Sequence, residues 1–216
     1  LDLRKKEHCN SENLAYRFVN FGVDPQSGKL DMDAVEKQAM ECKPQLIIVS
    51  PINYPLSLDY ERFADIAHKC GAILWCDISQ TAGLIAGGVL PSPLPHADVV
   101  TFSAHGAMQG PHSSVILCSN KYASSIDRMA ITAGHNGLQS AELAALAARM
   151  SEMKDVVYSR YVHTVVDNAK ALAEGLAAGG AKVLFGGTDS HLVIIDTKGC
   201  AVSARGAQEL LMEAGV

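Results

Sequence analysis

The strongest constraint on this 216-residue chain is a repeated alternation of short apolar runs with longer amphipathic segments. The runs are Gln45-Leu46-Ile47-Ile48-Val49, Ala72-Ile73-Leu74-Trp75-Cys76, Val99-Val100-Thr101-Phe102 and Ser114 to Cys118. Runs this short, and rich in β-branched residues, read as strands buried on both faces. Between them lie helical patterns. Met32, Val35, Ala39 and Met40 recur at helical spacing within Met32 to Cys42, with Asp31 as N-cap. Asp59 to Cys70 is a second amphipathic helix, and Thr81 to Ala86 a short helical turn. Strands and helices alternating at this length imply an α/β fold, with a mainly parallel sheet covered on both faces by helices.

The second half changes character. Gln139 to Met153 and Val156 to Ala178 are long helices rich in Ala, Leu and Glu. Lys182 to Phe185 and His191 to Asp196 read as strands beginning a second layer, and Ser203 to Ala214 as a helix ended by Gly215. No linker or repeat interrupts the pattern, so residues 1–180 are expected to form a large domain and 181–216 the start of a smaller one. At 48% hydrophobic and 19% charged residues, the chain has the apolar content for a substantial core. Asp24-Pro25-Gln26-Ser27-Gly28 is turn chemistry.

Composition also limits partners. A net charge of -5 and a pI near 5.9 give no electrostatic case for nucleic acid or an anionic membrane. Arg4-Lys5-Lys6 is read as a solvated end. No apolar run has a membrane-spanning length of about 18 residues, and no signal-peptide pattern is visible. A cytoplasmic or organelle-matrix location is therefore expected. The six cysteines, Cys9, Cys42, Cys70, Cys76, Cys118 and Cys200, form no C-x-x-C pair and are read as reduced. Cys76 and Cys118, set in apolar runs, are expected to be buried.

In open parallel sheets, ligands sit beyond the carboxyl ends of the strands. Two such segments carry polar residues here: Asp77-Ile78-Ser79-Gln80-Thr81, and Ser103-Ala104-His105-Gly106-Ala107-Met108-Gln109-Gly110-Pro111-His112. By local chemistry alone, Asp77 caps the short helix at Thr81 to Ala86. His105 and His112 lack a third ligand at a metal-site spacing and are read as structural or solvent-facing, with no metal expected. Met129, Met150 and Met153 are read as core or interface filling.

Four motifs narrow this further: Phe21-Gly22-Val23-Asp24-Pro25, Pro95-His96-Ala97-Asp98-Val99-Val100, Gly110-Pro111 and Gly186-Gly187-Thr188-Asp189-Ser190-His191-Leu192-Val193. In order and spacing, Tyr16 to Val216 resembles the middle of the serine hydroxymethyltransferase family. The resemblance implies an aminotransferase-like three-layer α/β/α fold and pyridoxal phosphate as cofactor. It also implies a homodimer with shared active sites, and transfer of a one-carbon group between serine and tetrahydrofolate.

The resemblance assigns Asp77 to the pyridine nitrogen, which a carboxylate keeps protonated. Gln80 stands where the family has histidine. Ala104-His105-Gly106 stands where the family has Thr-His-Lys, so Gly106 occupies the position of the lysine that joins the cofactor. Glycine has no nucleophile, and the nearest lysine in sequence, Lys121, lies past the next strand. Covalent cofactor binding is therefore not expected, and no intact catalytic residue is assigned. The cofactor-binding candidates are Asp77, Gln80, Ser103, His105 and Gly137. Neighbouring positions depart from the family too: Gln109, His112, Ser113-Ser114 and Ile52-Asn53-Tyr54-Pro55-Leu56 lose guanidinium, glycine and hydroxyl groups, and Asn136-Gly137 keeps half of a phosphate contact. His191 is expected to bond backbone within its scaffold motif. Family members are longer, with phosphate-gripping, ring-stacking and substrate-carboxylate groups in segments not represented here.

The reading that follows is a pseudoenzyme that binds without catalysis, as a homodimer or a heterodimer with a family paralogue. Two alternatives are an enzyme of altered chemistry using Asp77, Ser103 and His105 in the same cleft, and a stretch of a longer family member.

Overall fold

A computed structural model of the chain describes residues 16–24, 27–132, 139–198 and 202–216. The candidates Asn136 and Gly137, the cysteines Cys9 and Cys200, the Arg4-Lys5-Lys6 cluster and the centre of the Pro25 turn lie outside the described residues.

Helix α1 (Met32–Cys42) starts where the Asp31 carboxylate accepts from the N–H groups of Asp33 and Ala34. Strand β1 (Leu46–Val49) follows, then α2 (Tyr60–Cys70), capped by Asp59 and ended by Gly71 at φ 75°. Next come β2 (Ile73–Asp77), the short α3 (Ala82–Ala86), β3 (Val99–Ser103) and β4 (Ser114–Cys118). Helices α4 (Asn120–Thr132), α5 (Ser140–Glu152) and α6 (Val156–Ala178) then precede β5 (Lys182–Val183), β6 (Ile195–Asp196) and α7 (Ala204–Glu213).

The main sheet has the order β1-β2-β3-β4. Its first three strands are parallel, and β4 runs antiparallel to β3, with Ser103 opposite Ser114 and Val99 opposite Cys118. The fold is α/β with a mainly parallel sheet. The antiparallel edge follows from the Ala104–Ser113 connection, which is too short to hold a crossover helix.

One face of the sheet makes the core. Ile47, Val49, Leu74, Cys76, Val100 and Phe102 pack against Val35 and Ala39 of α1 and Phe63, Ile66 and Ala67 of α2. Leu74 and Phe63 are 0% exposed, and burying a side chain of that size contributes about 1.5–3 kcal/mol. Burial also pushes the Cys76 thiol up to about 12. The other face carries Leu46, Ile48, Ile73, Trp75, Asp77, Val99, Thr101, Ser103, Ile116 and Cys118, and none of these belongs to the core cluster. Leu46 and Ile116 on that face are 41% and 50% exposed.

A second cluster joins α3 to α6 through Leu84, Tyr158, Val162 and Val166, and Met153 touches both clusters. Gly87, at the end of α3, makes this approach possible, because a Cβ there would lie 2.0 Å from Val162 Cγ2.

Several expectations need correction. Helix α4 was not foreseen, although Tyr122, Ile126 and Met129 stand at helical spacing. It follows directly on β4 and has no buried residue among those described. The strand expected over Lys182 to Phe185 stops at Val183, and Phe185 turns to φ 63° within a 3-10 turn. The strand expected over His191 to Asp196 shrinks to Ile195–Asp196. Cys118 is half-buried rather than buried, because it points to the open face of an edge strand. Cys42, Cys70, Cys76 and Cys118 are free thiols. No described helix is long and apolar enough to cross a membrane.

Candidate functional site

The carboxyl ends of β2 and β3 place Asp77 and Ser103 side by side with Ser79. Asp77 and Thr101 are cross-strand partners, and the Thr101 hydroxyl donates to Asp77 Oδ2 at 2.6 Å. Trp75 Nε1 donates to the same Thr101 oxygen at 2.9 Å. The indole occupies an acceptor site on the hydroxyl, so the hydroxyl proton is directed at the carboxylate. Asp77 Oδ1 accepts from the Ser79 N–H at 3.2 Å. An ionised carboxylate has about four acceptor sites, so this relay fixes the group and leaves lone pairs toward the open face.

Asp77 is therefore not the cap of α3. The N-cap of that helix is Thr81, which makes no side-chain cap bond. The Ser103 N–H donates to Ser79 Oγ at 3.1 Å, and the two hydroxyl oxygens lie 3.4 Å apart. Gln80 is exposed.

The Ala104–Ser113 loop folds back on itself. The Ala104 N–H donates to the Ser113 carbonyl and the Gly110 N–H to the Ala104 carbonyl, both at 2.8 Å. Gly106 opens a 3-10 turn (Gly106–Met108) at φ 75°. A Cβ added there would meet nothing within 4 Å. Space is thus open to a side chain, but the left-handed backbone favours glycine, at a cost of about 1–2 kcal/mol for an L-residue. His105 and His112 are exposed and stack with ring centroids 4.7 Å apart. Among the described residues, no group of three or more His, Cys, Asp or Glu could hold a metal.

Sequence reasoning missed Arg149. Its Nε donates to the Met108 carbonyl at 2.6 Å, one terminal nitrogen donates to Gln109 Oε1 at 3.2 Å, and the guanidinium lies over the Tyr158 ring at 4.9 Å. Gln109, at φ 57°, donates to the Tyr161 hydroxyl at 2.7 Å. Helices α5 and α6 thus clamp the turn after Gly106. Nothing in the pattern of α5 distinguished Arg149 from a solvated helix residue, since its partners are a backbone oxygen and an amide far away in sequence.

The Gly186–Val193 motif acts as a brace. Thr188 Oγ1 and the Asp189 N–H donate to the Pro55 carbonyl at 3.3 and 3.1 Å, and Asp189 Oδ2 accepts from the Ser57 N–H at 2.9 Å. His191 departs from expectation: its Nδ1 is buried without a hydrogen-bond partner. Burial also lowers its pKa below the usual histidine value. Beside this brace, Tyr54, Tyr60, Thr81, Pro91 and Ser190 line a small cleft with room for about one water. The Thr81 hydroxyl there has no protein partner. Lys121 sits in α4 with its ammonium 4.9 Å from the Tyr122 ring centroid, and the aromatic oxygen raises its pKa.

The donor set suits a protonated ring nitrogen at Asp77 and supplies no amine on the Gly106 turn for an aldehyde. It fits the pyridine ring of the implied cofactor and does not fit its covalent attachment.

A family model described as serine hydroxymethyltransferase matches residues 3–216. A curated serine hydroxymethyltransferase from Coprothermobacter proteolyticus is 40% identical over 201 residues, covering 93% of this chain and 48% of that protein. The chain thus spans about half the length of the curated relative it matches.

Proposed function

This chain belongs to the serine hydroxymethyltransferase family, and from that premise we propose that it is a non-catalytic member, keeping the family scaffold and a pyridine-recognising carboxylate without the covalent lysine linkage. The observation that carries the reading is Gly106, at φ 75° on the turn after β3, where the family motif has lysine. A lysine amine is what covalent catalysis at a cofactor aldehyde requires.

Asp77, oriented by Thr101 and Ser79, would hold the ring nitrogen of pyridoxal phosphate, which when bound supplies an electron sink. Ser103 and His105 lie on the adjoining strand end and loop, and Gln80 and Gly137 complete the proposed contacts. The assignment of residues 181–216 to the start of a smaller domain, and a homodimer or a heterodimer with a family paralogue, belong to the same proposal.

A second reading draws on the chain spanning 48% of its relative: the 216 residues are part of a family-length polypeptide, whose remaining segments add groups to the same cleft. Isothermal titration with pyridoxal phosphate, run beside Asp77→Asn, tests the ring-nitrogen contact. Binding that is reversible on dialysis and weakened by the substitution is the expected result. A bound cofactor that dialysis does not remove from the native chain would contradict the non-catalytic reading.

A further inference from the structure

We propose that Trp75 is a positioning residue which, through the Thr101 hydroxyl, makes the Asp77 end of β2 selective for a ring that brings its own N–H. The inference rests on the pyridine-recognition reading above and deepens it, by naming the residue that sets the selectivity.

The strand register puts the three side chains in line. Asp77 is opposite Thr101 and Trp75 is opposite Val99, and alternate residues of a strand share a face. Trp75 and Thr101 are therefore diagonal neighbours on the face that carries Asp77, a span within reach of an aromatic side chain. Trp75 Nε1 closes that span at 2.9 Å from Thr101 Oγ1.

The direction of each bond follows from what the groups can do. An indole N–H donates and cannot accept, whereas a hydroxyl has one proton and two lone pairs. With Trp75 on a lone pair, the Thr101 proton is left for an acceptor, and Asp77 Oδ2 lies 2.6 Å away, the length of an O–H bond to a carboxylate oxygen. The Ser79 N–H donates to Oδ1 at 3.2 Å. Both oxygens of the carboxylate thus meet donors, and its orientation is fixed before any ligand arrives, so less freedom is lost on binding. The lone pairs that remain call for one more donor. A protonated ring nitrogen supplies it, whereas a ring carbon in the same place would cover a half-buried carboxylate without a partner. Without the indole N–H, the Thr101 hydroxyl is free to turn its proton away from Asp77, and the aim of the carboxylate is lost.

The test measures selectivity rather than affinity alone. Calorimetric titration of the 216-residue chain compares pyridoxine 5'-phosphate, which has no aldehyde for a lysine to capture, with its analogue carrying C–H in place of the ring nitrogen. The native chain should prefer the nitrogen ring by about tenfold, the scale of one hydrogen bond to a charged group, and Asp77→Ala should erase the preference. Trp75→Phe, which keeps the aromatic bulk, should cut the ratio about threefold. Thr101→Val should cut it at least as far, and Thr101→Ser, which keeps the hydroxyl, should restore it. A purely structural role for Trp75 would weaken both ligands together and leave the ratio unchanged, which overturns the proposal. A native chain with no preference, or one whose preference survives Asp77→Ala, would instead overturn the ring-nitrogen contact itself and this inference with it. A ligand-free measurement checks the relay whether or not Trp75→Phe folds. Trp75 is the chain's one tryptophan, so a ¹H–¹⁵N spectrum contains a single indole signal. Asp77→Ala should shift that signal in the native background and leave it in place in the Thr101→Val background. Equal shifts in both would show that no path runs through the hydroxyl.

Discussion

The two faces of the main sheet are built from the same strands and do opposite work. Leu74, Cys76, Val100 and Phe102 point into a closed core against α1 and α2. One residue along in each direction, Ile73, Trp75, Asp77, Thr101 and Ser103 point to a half-open face that ends in the only outward carboxylate. The closed face holds the fold energy, and the open face holds the chemistry. Changes at the site therefore need not unfold the chain, and the scaffold motifs persist beside a glycine at the lysine position.

The contrast is broken most directly by comparing truncations. Leu74→Ala should cost about 3–4 kcal/mol by urea denaturation, as a cavity in a packed core does, whereas Ile116→Ala should cost less than about 1 kcal/mol. Equal costs would mean that the Trp75 face is already covered. Gly106→Lys tests the loop between the faces. The left-handed backbone there should lower stability by about 1–2 kcal/mol, and an unchanged denaturation midpoint would show that the turn accepts a side chain freely. Asp31→Ala removes the α1 cap on the closed side and should cost about 1 kcal/mol; its loss should leave cofactor titration unaltered.

The smallest effect concerns pH. His191 is buried, and its folded-state pKa lies below the ordinary 6.5. As pH falls below 6.5, the unfolded chain takes the proton first, so stability declines, and the decline ends once pH passes below the folded-state pKa. His191→Gln should flatten that slope in urea midpoints measured across the acid range. A slope that persists unchanged would assign it to other groups.

The strand–helix alternation was legible because each apolar run had the length and β-branching of a buried strand, and Asp31 and Asp59 announced their helices. The bareness of one face was not legible: Ile73 and Leu74 are equally apolar in sequence, and only the packing of α1 and α2 separates them. Arg149 was invisible for a related reason, since its hydrogen bonds go to a carbonyl and an amide on the Gly106 turn. Asp77 was placed correctly at the end of β2, yet its partner Thr101 emerged only from the parallel register. At Gly106 the sequence identified the missing amine, while the left-handed backbone that makes the glycine locally preferred required the structure.

The most direct measurement is borohydride reduction of the protein after incubation with pyridoxal phosphate and exhaustive dialysis, followed by peptide mass mapping. The expected outcome is no stoichiometric phosphopyridoxyl-lysine peptide, because the turn after β3 has no amine. A single lysine labelled one-to-one after dialysis would contradict the central claim.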